Sequence, residues 1–103
     1  MEERKLQLLV QIREGQLNQL SVYRVLDLAN YIRLRDDHDG GRDTNEATAR
    51  MFEDLDHLRD LHEDQYIATM PQQPRLDHRG RRTDFHSLRI TSAGRNLLES
   101  VGR

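Results

Sequence analysis

The sequence predicts one mostly helical domain with a small antiparallel β-hairpin, an α+β fold, and three observations predict it. Four segments carry apolar residues at the spacing of a helix face. Two short apolar runs, 66–70 and 85–90, flank a connection rich in Pro, Gly and Arg, as the two limbs of a hairpin would. The chain has 103 residues, which matches a single compact domain, residues 1–103, on the usual scale of roughly 100 to 200 residues.

The first helix is predicted by Leu6, Leu8, Leu9, Val10 and Ile12 and stops near Gly15. Ser21 is placed to cap a second, in which Val22, Val25, Leu26, Ala29 and Ile32 recur at helical spacing. Residues 36–43, with no apolar side chain and two adjacent glycines, read as a solvated loop. A calcium loop is excluded there, because starting at Asp36 puts His38 third and Gly40 fifth, where oxygen ligands are required. Thr44 then caps the most regular helix of the chain, whose stripe is Ala47, Met51, Leu55, Leu58 and Leu61 or His62, ending near Glu63. His57 and His62 stand five apart, not the four that sets two imidazoles side by side on a helix, so they read as one surface and one boundary histidine.

The first strand, 66–70, runs into Pro71 and Pro74, and the second, 85–90, sets Leu88 and Ile90 on one face. Thr91 caps a closing helix with Gly94, Leu97, Leu98 and Val101 turned inward. The expected core joins Leu55 and Leu58 to Ile67, Leu88, Ile90, Leu97 and Leu98. Aromatic residues are 5% of the chain and charged ones 33%, so the core is thin. A homodimer sealed by Leu6, Leu9, Leu97, Leu98 and Val101 is therefore expected.

A net charge of −2 conceals segregation. Residues 1–35 carry six basic and four acidic side chains (+2), residues 36–64 three and eleven (−8), and residues 65–103 seven and three (+4). A polyanion is expected to approach the C-terminal third. There Arg75, Arg79, Arg81 and Arg82 surround Gly80 in the hairpin loop, either merely solvated or placed to donate to phosphates. With no cysteine, thiol catalysis, disulfides and thiolate metal sites are excluded. No phosphate-cradling glycine loop and no Ser/His/Asp spacing stands out, so no enzyme, cofactor or metal is expected. No apolar run approaches the roughly 18 residues of a membrane span, and Met1 to Lys5 lead into no signal-type stretch; a soluble, cytoplasmic protein is the expectation.

Several segments carry a resemblance. Residues 56–67, DHLRDLHEDQYI, resemble the end of a recognition helix running into a wing strand, and residues 80–85, GRRTDF, resemble a wing and its return. Residues 88–98, LRITSAGRNLL, are similar to the strand-to-helix signature of the PadR and MarR repressor families, and small phage-associated winged-helix proteins share this closing pattern. The resemblance implies a winged helix-turn-helix domain with its wing at about 66–90, and a dimeric transcription regulator that binds double-stranded DNA. Base and phosphate contacts would then come from Thr44, Asn45, Thr48 and Arg50 at the start of the third helix, and from Arg75, Arg79, Arg81 and Arg82 in the wing. The chain departs from the pattern in three places. Its loop at 36–43 is long, Asp64 and Gln65 stand where a glycine is usual, and the third helix carries Glu46, Glu53, Asp54, Asp56, Asp60 and Glu63 against Arg50 and Arg59. A winged-helix module that binds a protein partner and no DNA is the alternative.

Overall fold

The computed structural model describes residues 1–24, 26–43 and 45–103; Val25, expected on the second helix, and Thr44, expected as a cap and a DNA contact, lie outside the described residues. Among these, four α-helices and a three-stranded antiparallel sheet follow in the order α1 (Glu3–Arg13), β1 (Leu20–Ser21), a 3-10 turn (Val22–Arg24), α2 (Leu28–Asp39), α3 (Glu46–Glu63), β2 (Ile67–Met70), β3 (Asp84–Ile90) and α4 (Ser92–Ser100). The α+β class expected from sequence is the class observed.

Strand β3 is central. It pairs with β1 through Leu20–Phe85 and Ser21–Asp84, and with β2 through Ile67–Ile90, Ala68–Arg89 and Met70–His86. The β2–β3 register shifts between Ala68 and Met70, and Ser87 turns to a positive φ of 50°. That irregularity breaks the alternation expected of β3: Phe85 and Leu88 are buried, whereas Ile90 is only half-buried.

The second helix differs most from expectation. Ser21 lies in β1 instead of capping, and the Val22 amide donates to the Thr83 carbonyl, which commits this stretch to the sheet. The cap is Asp27, whose carboxylate accepts from the Asn30 amide at 2.8 Å. With the start at Leu28, Val22 and Leu26 of the expected stripe precede the helix, Val22 buried in the 3-10 turn and Leu26 packed at the edge of the core. Ala29 is exposed and Ile32 half-buried, and the side chains α2 buries are Tyr31 and Arg35. At its other end α2 runs through Asp39, into residues expected to be loop. Acidic side chains at a helix C-terminus oppose the macrodipole. Here Arg35 bonds Asp39 one turn on, at 3.2 Å, and Arg79 reaches the same carboxylate from the hairpin loop, so ion pairs offset the opposition.

The remaining caps follow local chemistry. Asn45 caps α3, accepting from the Thr48 amide at 3.1 Å, and Thr91 caps α4, accepting from the Gly94 amide at 3.1 Å. The core gathers Leu6, Leu8, Leu9 and Ile12 of α1 with Phe52, Leu55, Leu58 and Leu61 of α3, against Ile67, Phe85, Leu88 and Leu98. Leu97 packs at its edge, half-buried like Ile90. Val101 follows the last turn of α4 and is 46% exposed, not turned inward. The proposed dimer seam is corrected accordingly: Leu6, Leu9 and Leu98 are buried within one chain, because α1 packs on α3 and α4, and could not meet a second copy without opening this core.

Candidate nucleic-acid interface

The start of α3 holds the expected base-reading residues. The Asn45 side chain is already engaged, its carbonyl oxygen accepting from both the amide and the hydroxyl of Thr48. Arg50 projects outward with its side chain 78% exposed, and Glu46 lies one turn back, 3.8 Å from the guanidinium. Further along, the outward positions are Glu53, Asp60 and Glu63, so α3 presents a mainly acidic ridge.

The inward acids of α3 serve the fold. Asp54 accepts two bonds from Arg4 of α1, both 2.8 Å, and Asp56 accepts from Arg59 at 2.7 Å and from Arg35 at 2.9 Å. On the ridge itself Asp60 meets Lys5 at 3.0 Å. Hydrogen bonds to Asp54 and Asp60 raise the Arg4 and Lys5 pKa values, as expected where a carboxylate favours the cationic form. Of the two helix histidines, His62 takes the expected boundary position and His57 departs from the expected surface one. His57 is buried, with Glu53 at 3.4 Å and Glu2 at 3.5 Å, because it faces the start of α1. His62 is half-buried and packs edge-on to Phe85; burial, aided by the nearby Arg82 charge, holds its pKa below the usual value.

The four arginines of the hairpin loop are brought close together but do not point jointly at solvent. Arg79 donates to Asp39 at 2.7 Å and to Asp36 at 3.0 Å, and His78 stands 3.3 Å from Asp36, so the loop is fastened to the end of α2. Arg82 donates to the carbonyls of Asp84 and Pro71 at 2.8 and 2.7 Å and lies over the Phe85 ring. Arg81 lies half-buried, its Nε 3.9 Å from Asp77. Arg75 lies over the Tyr23 ring at 4.9 Å.

Beneath the loop is a buried polar cluster that the sequence reading passes over. The Asp77 carboxylate is wholly enclosed and accepts from the amides of Arg79 and Arg81, both at 2.9 Å, and from the Tyr31 hydroxyl at 3.3 Å. Burial opposes its ionisation, but the two amide bonds and the charges of Arg59 and Arg81 outweigh this and hold its pKa below the usual carboxylate range. Arg59, also buried, donates to the Tyr31 hydroxyl at 3.2 Å and to the Arg82 carbonyl at 2.6 Å. The signal that could have found Asp77 is local: an aspartate three residues before Gly80, which takes a positive φ of 75°, is the composition of a side-chain-stabilised turn. Its partners Tyr31 and Arg59 are distant in sequence and leave no such trace.

No known protein family, curated protein or solved structure matches the chain.

Proposed function

We propose that the chain is a winged-helix domain that recognises a protein partner in preference to double-stranded DNA. The fold reading is supported by the order α1–β1–α2–α3–β2–β3–α4, by the sheet order β1–β3–β2 and by the loop that joins β2 to β3 as a wing. The functional reading is carried by one observation: two of the wing's four arginines, Arg79 and Arg82, are engaged within the chain while α3 turns Glu46, Glu53, Asp60 and Glu63 outward. Phosphate neutralisation supplies essentially all of nonspecific DNA affinity. A duplex laid along α3 would meet mostly carboxylates, and Arg79 would have to leave two of them to reach a phosphate.

A second reading, a DNA-binding regulator of the PadR or MarR kind, is favoured by Arg50, whose exposed guanidinium stands at the start of α3 where base edges come within reach in helix-turn-helix complexes. Fluorescence-anisotropy titration with labelled duplexes, including the DNA upstream of the protein's own coding sequence, separates the two. The protein-binding reading expects no salt-dependent affinity at micromolar concentration. A fall in log K of several units per tenfold rise in salt would install the DNA reading in its place.

A further inference from the structure

The geometry points to an open groove between the start of α2 and the first limb of the β2–β3 loop as the docking site for an acid-flanked apolar segment of a partner protein. This rests on the protein-binding reading above and names its surface. The groove encloses about 730 Å³; Tyr23, Leu26, Leu28 and Leu76 form its apolar walls, and Arg24 and Arg75 contribute its cationic groups. Leu28 and Leu76 are 44% and 52% exposed, although most leucines of the chain are at least partly withdrawn from water. Two large aliphatic side chains left open on facing elements mark a surface that a partner would cover.

Charge decides what kind of segment fits. Most cations of this chain have a carboxylate within reach: Arg4, Lys5, Arg35, Arg59 and Arg79 all do. Among the described residues, the guanidinium groups of Arg24, Arg33, Arg75, Arg82, Arg89 and Arg95 have no carboxylate within 4.0 Å, although acidic side chains outnumber basic ones, 18 to 16, and of these Arg24 and Arg75 line the groove. The carboxylate that shares the groove, Asp27, is engaged with Asn30, accepting from its backbone amide at 2.8 Å and from its side-chain amide at 3.1 Å. Arg75 is held in place as well. Its amide donates to Asp84 at 3.1 Å, its carbonyl accepts from Thr83, and its guanidinium lies on the Tyr23 ring. Two guanidinium groups, one of them held on the Tyr23 ring, beside an aliphatic floor complement apolar side chains flanked by Asp or Glu. A single-stranded nucleic acid fits less well, since base stacking needs an open aromatic face and Arg75 covers the one ring in the groove.

A random peptide library displayed on phage, selected against the whole protein, tests this. Enriched peptides are expected to place Leu, Ile or Phe beside Asp or Glu. Fluorescence polarisation should show roughly tenfold weaker binding to Leu28→Ser/Leu76→Ser and to Arg24→Glu/Arg75→Glu, and a peptide with Lys for its acids should bind the second variant better than the wild type. The substituted side chains are largely exposed or lie at the surface, so both variants are expected to melt within a few degrees of the wild type. Enrichment no greater than on the leucine variant overturns the proposal. So do selected peptides without carboxylates, displacement of the peptides by a 20-nucleotide oligothymidine, or self-association in sedimentation that the leucine variant abolishes. Peptides that bind all variants equally remove the groove and leave the protein-binding reading standing, whereas salt-dependent duplex binding removes that reading itself.

Discussion

Arg79 donates to Asp39 at 2.7 Å, joining residues forty apart in sequence and folding the most basic loop of the chain onto its most acidic turn. The same guanidinium reaches Asp36 at 3.0 Å. Burial works against ionisation of Asp39, but bonds and charge from Arg79 and Arg35 prevail and hold its pKa below the usual range. The segregation of charge that suggests a polyanion-binding surface in the sequence is thus partly neutralised inside the folded chain.

That pairing yields the first prediction. In Asp36→Asn/Asp39→Asn the Arg79 guanidinium loses both ionic partners and the surface loses two negative charges. Weak duplex affinity should appear in the variant and be absent from the wild type, with a salt slope of about one unit for each phosphate neutralised. Anisotropy titrations from low to physiological salt measure it. Indistinguishable curves for the two proteins would show that these ion pairs are not what withholds the loop from DNA.

A second prediction concerns the enclosed Asp77. Its replacement by Ala leaves the amides of Arg79 and Arg81 and the Tyr31 hydroxyl without their acceptor and removes a carboxylate 3.7 Å from Arg59. Breaking a buried arrangement of this kind from one side costs about 3 kcal/mol, enough to lower the melting temperature of a domain this size by roughly 10 °C or more. Tyr31→Phe removes one hydroxyl and should cost about 1 kcal/mol. Calorimetric scans that placed both variants close to the wild type would contradict the role assigned to the cluster.

How far the sequence could be read follows from the distance over which each determinant acts. Helix α3, the cap at Thr91 and the two main strands are written in spacing and capping within a few residues, and their expected places hold to within a residue or two. The start of α2 is not local. Ser21 and Val22 suit a helix start as well as a strand, and the Thr83 carbonyl, sixty-one residues beyond Val22, decides between them. The last turn of α2 likewise depends on Arg79. Site residues show the same division. The loop arginines stand out by composition, but a count of charges cannot tell which are paired, so their engagement by Asp36, Asp39 and backbone carbonyls emerges only in the folded chain.

A third prediction follows from His62. Burial and the Arg82 charge lower its pKa, so the unfolded chain takes up the proton first and stability falls as pH drops below about 6.5, levelling off once the folded pKa is passed. Asp39 and Asp77 also have lowered pKa values; their contribution is present above about pH 4 and is lost as pH falls through their folded values. Thermal melts across this range should therefore show His62→Gln losing less stability than the wild type on the first descent and following it on the second. Parallel profiles throughout would rule out His62 as the source of the first.

The final prediction contrasts two backbone positions, Gly94 at the start of α4 and Gln65 in the turn between α3 and β2. A Cβ added at Gly94 would collide with the Tyr66 carbonyl oxygen and come within 2.7 Å of Ile90 Cγ1. The carbonyl cannot easily yield, because it accepts the Thr91 amide at 3.1 Å where α4 begins. Gly94→Ala should therefore destabilise by about 1–3 kcal/mol, the usual cost of overpacking. Gln65 poses the opposite case. It follows α3 with a positive φ of 64°, where a side chain is strained and glycine is at ease. Its carbonyl, which accepts the Thr91 hydroxyl at 2.7 Å, survives any substitution of the side chain. Gln65→Gly should stabilise by somewhat under 1 kcal/mol, since relief of strain is offset in part by the greater freedom of glycine in the unfolded chain. Urea denaturation of both variants gives the two signs directly, and a stabilised Gly94→Ala would contradict the close approach of α4 to Tyr66 and to Ile90 of β3.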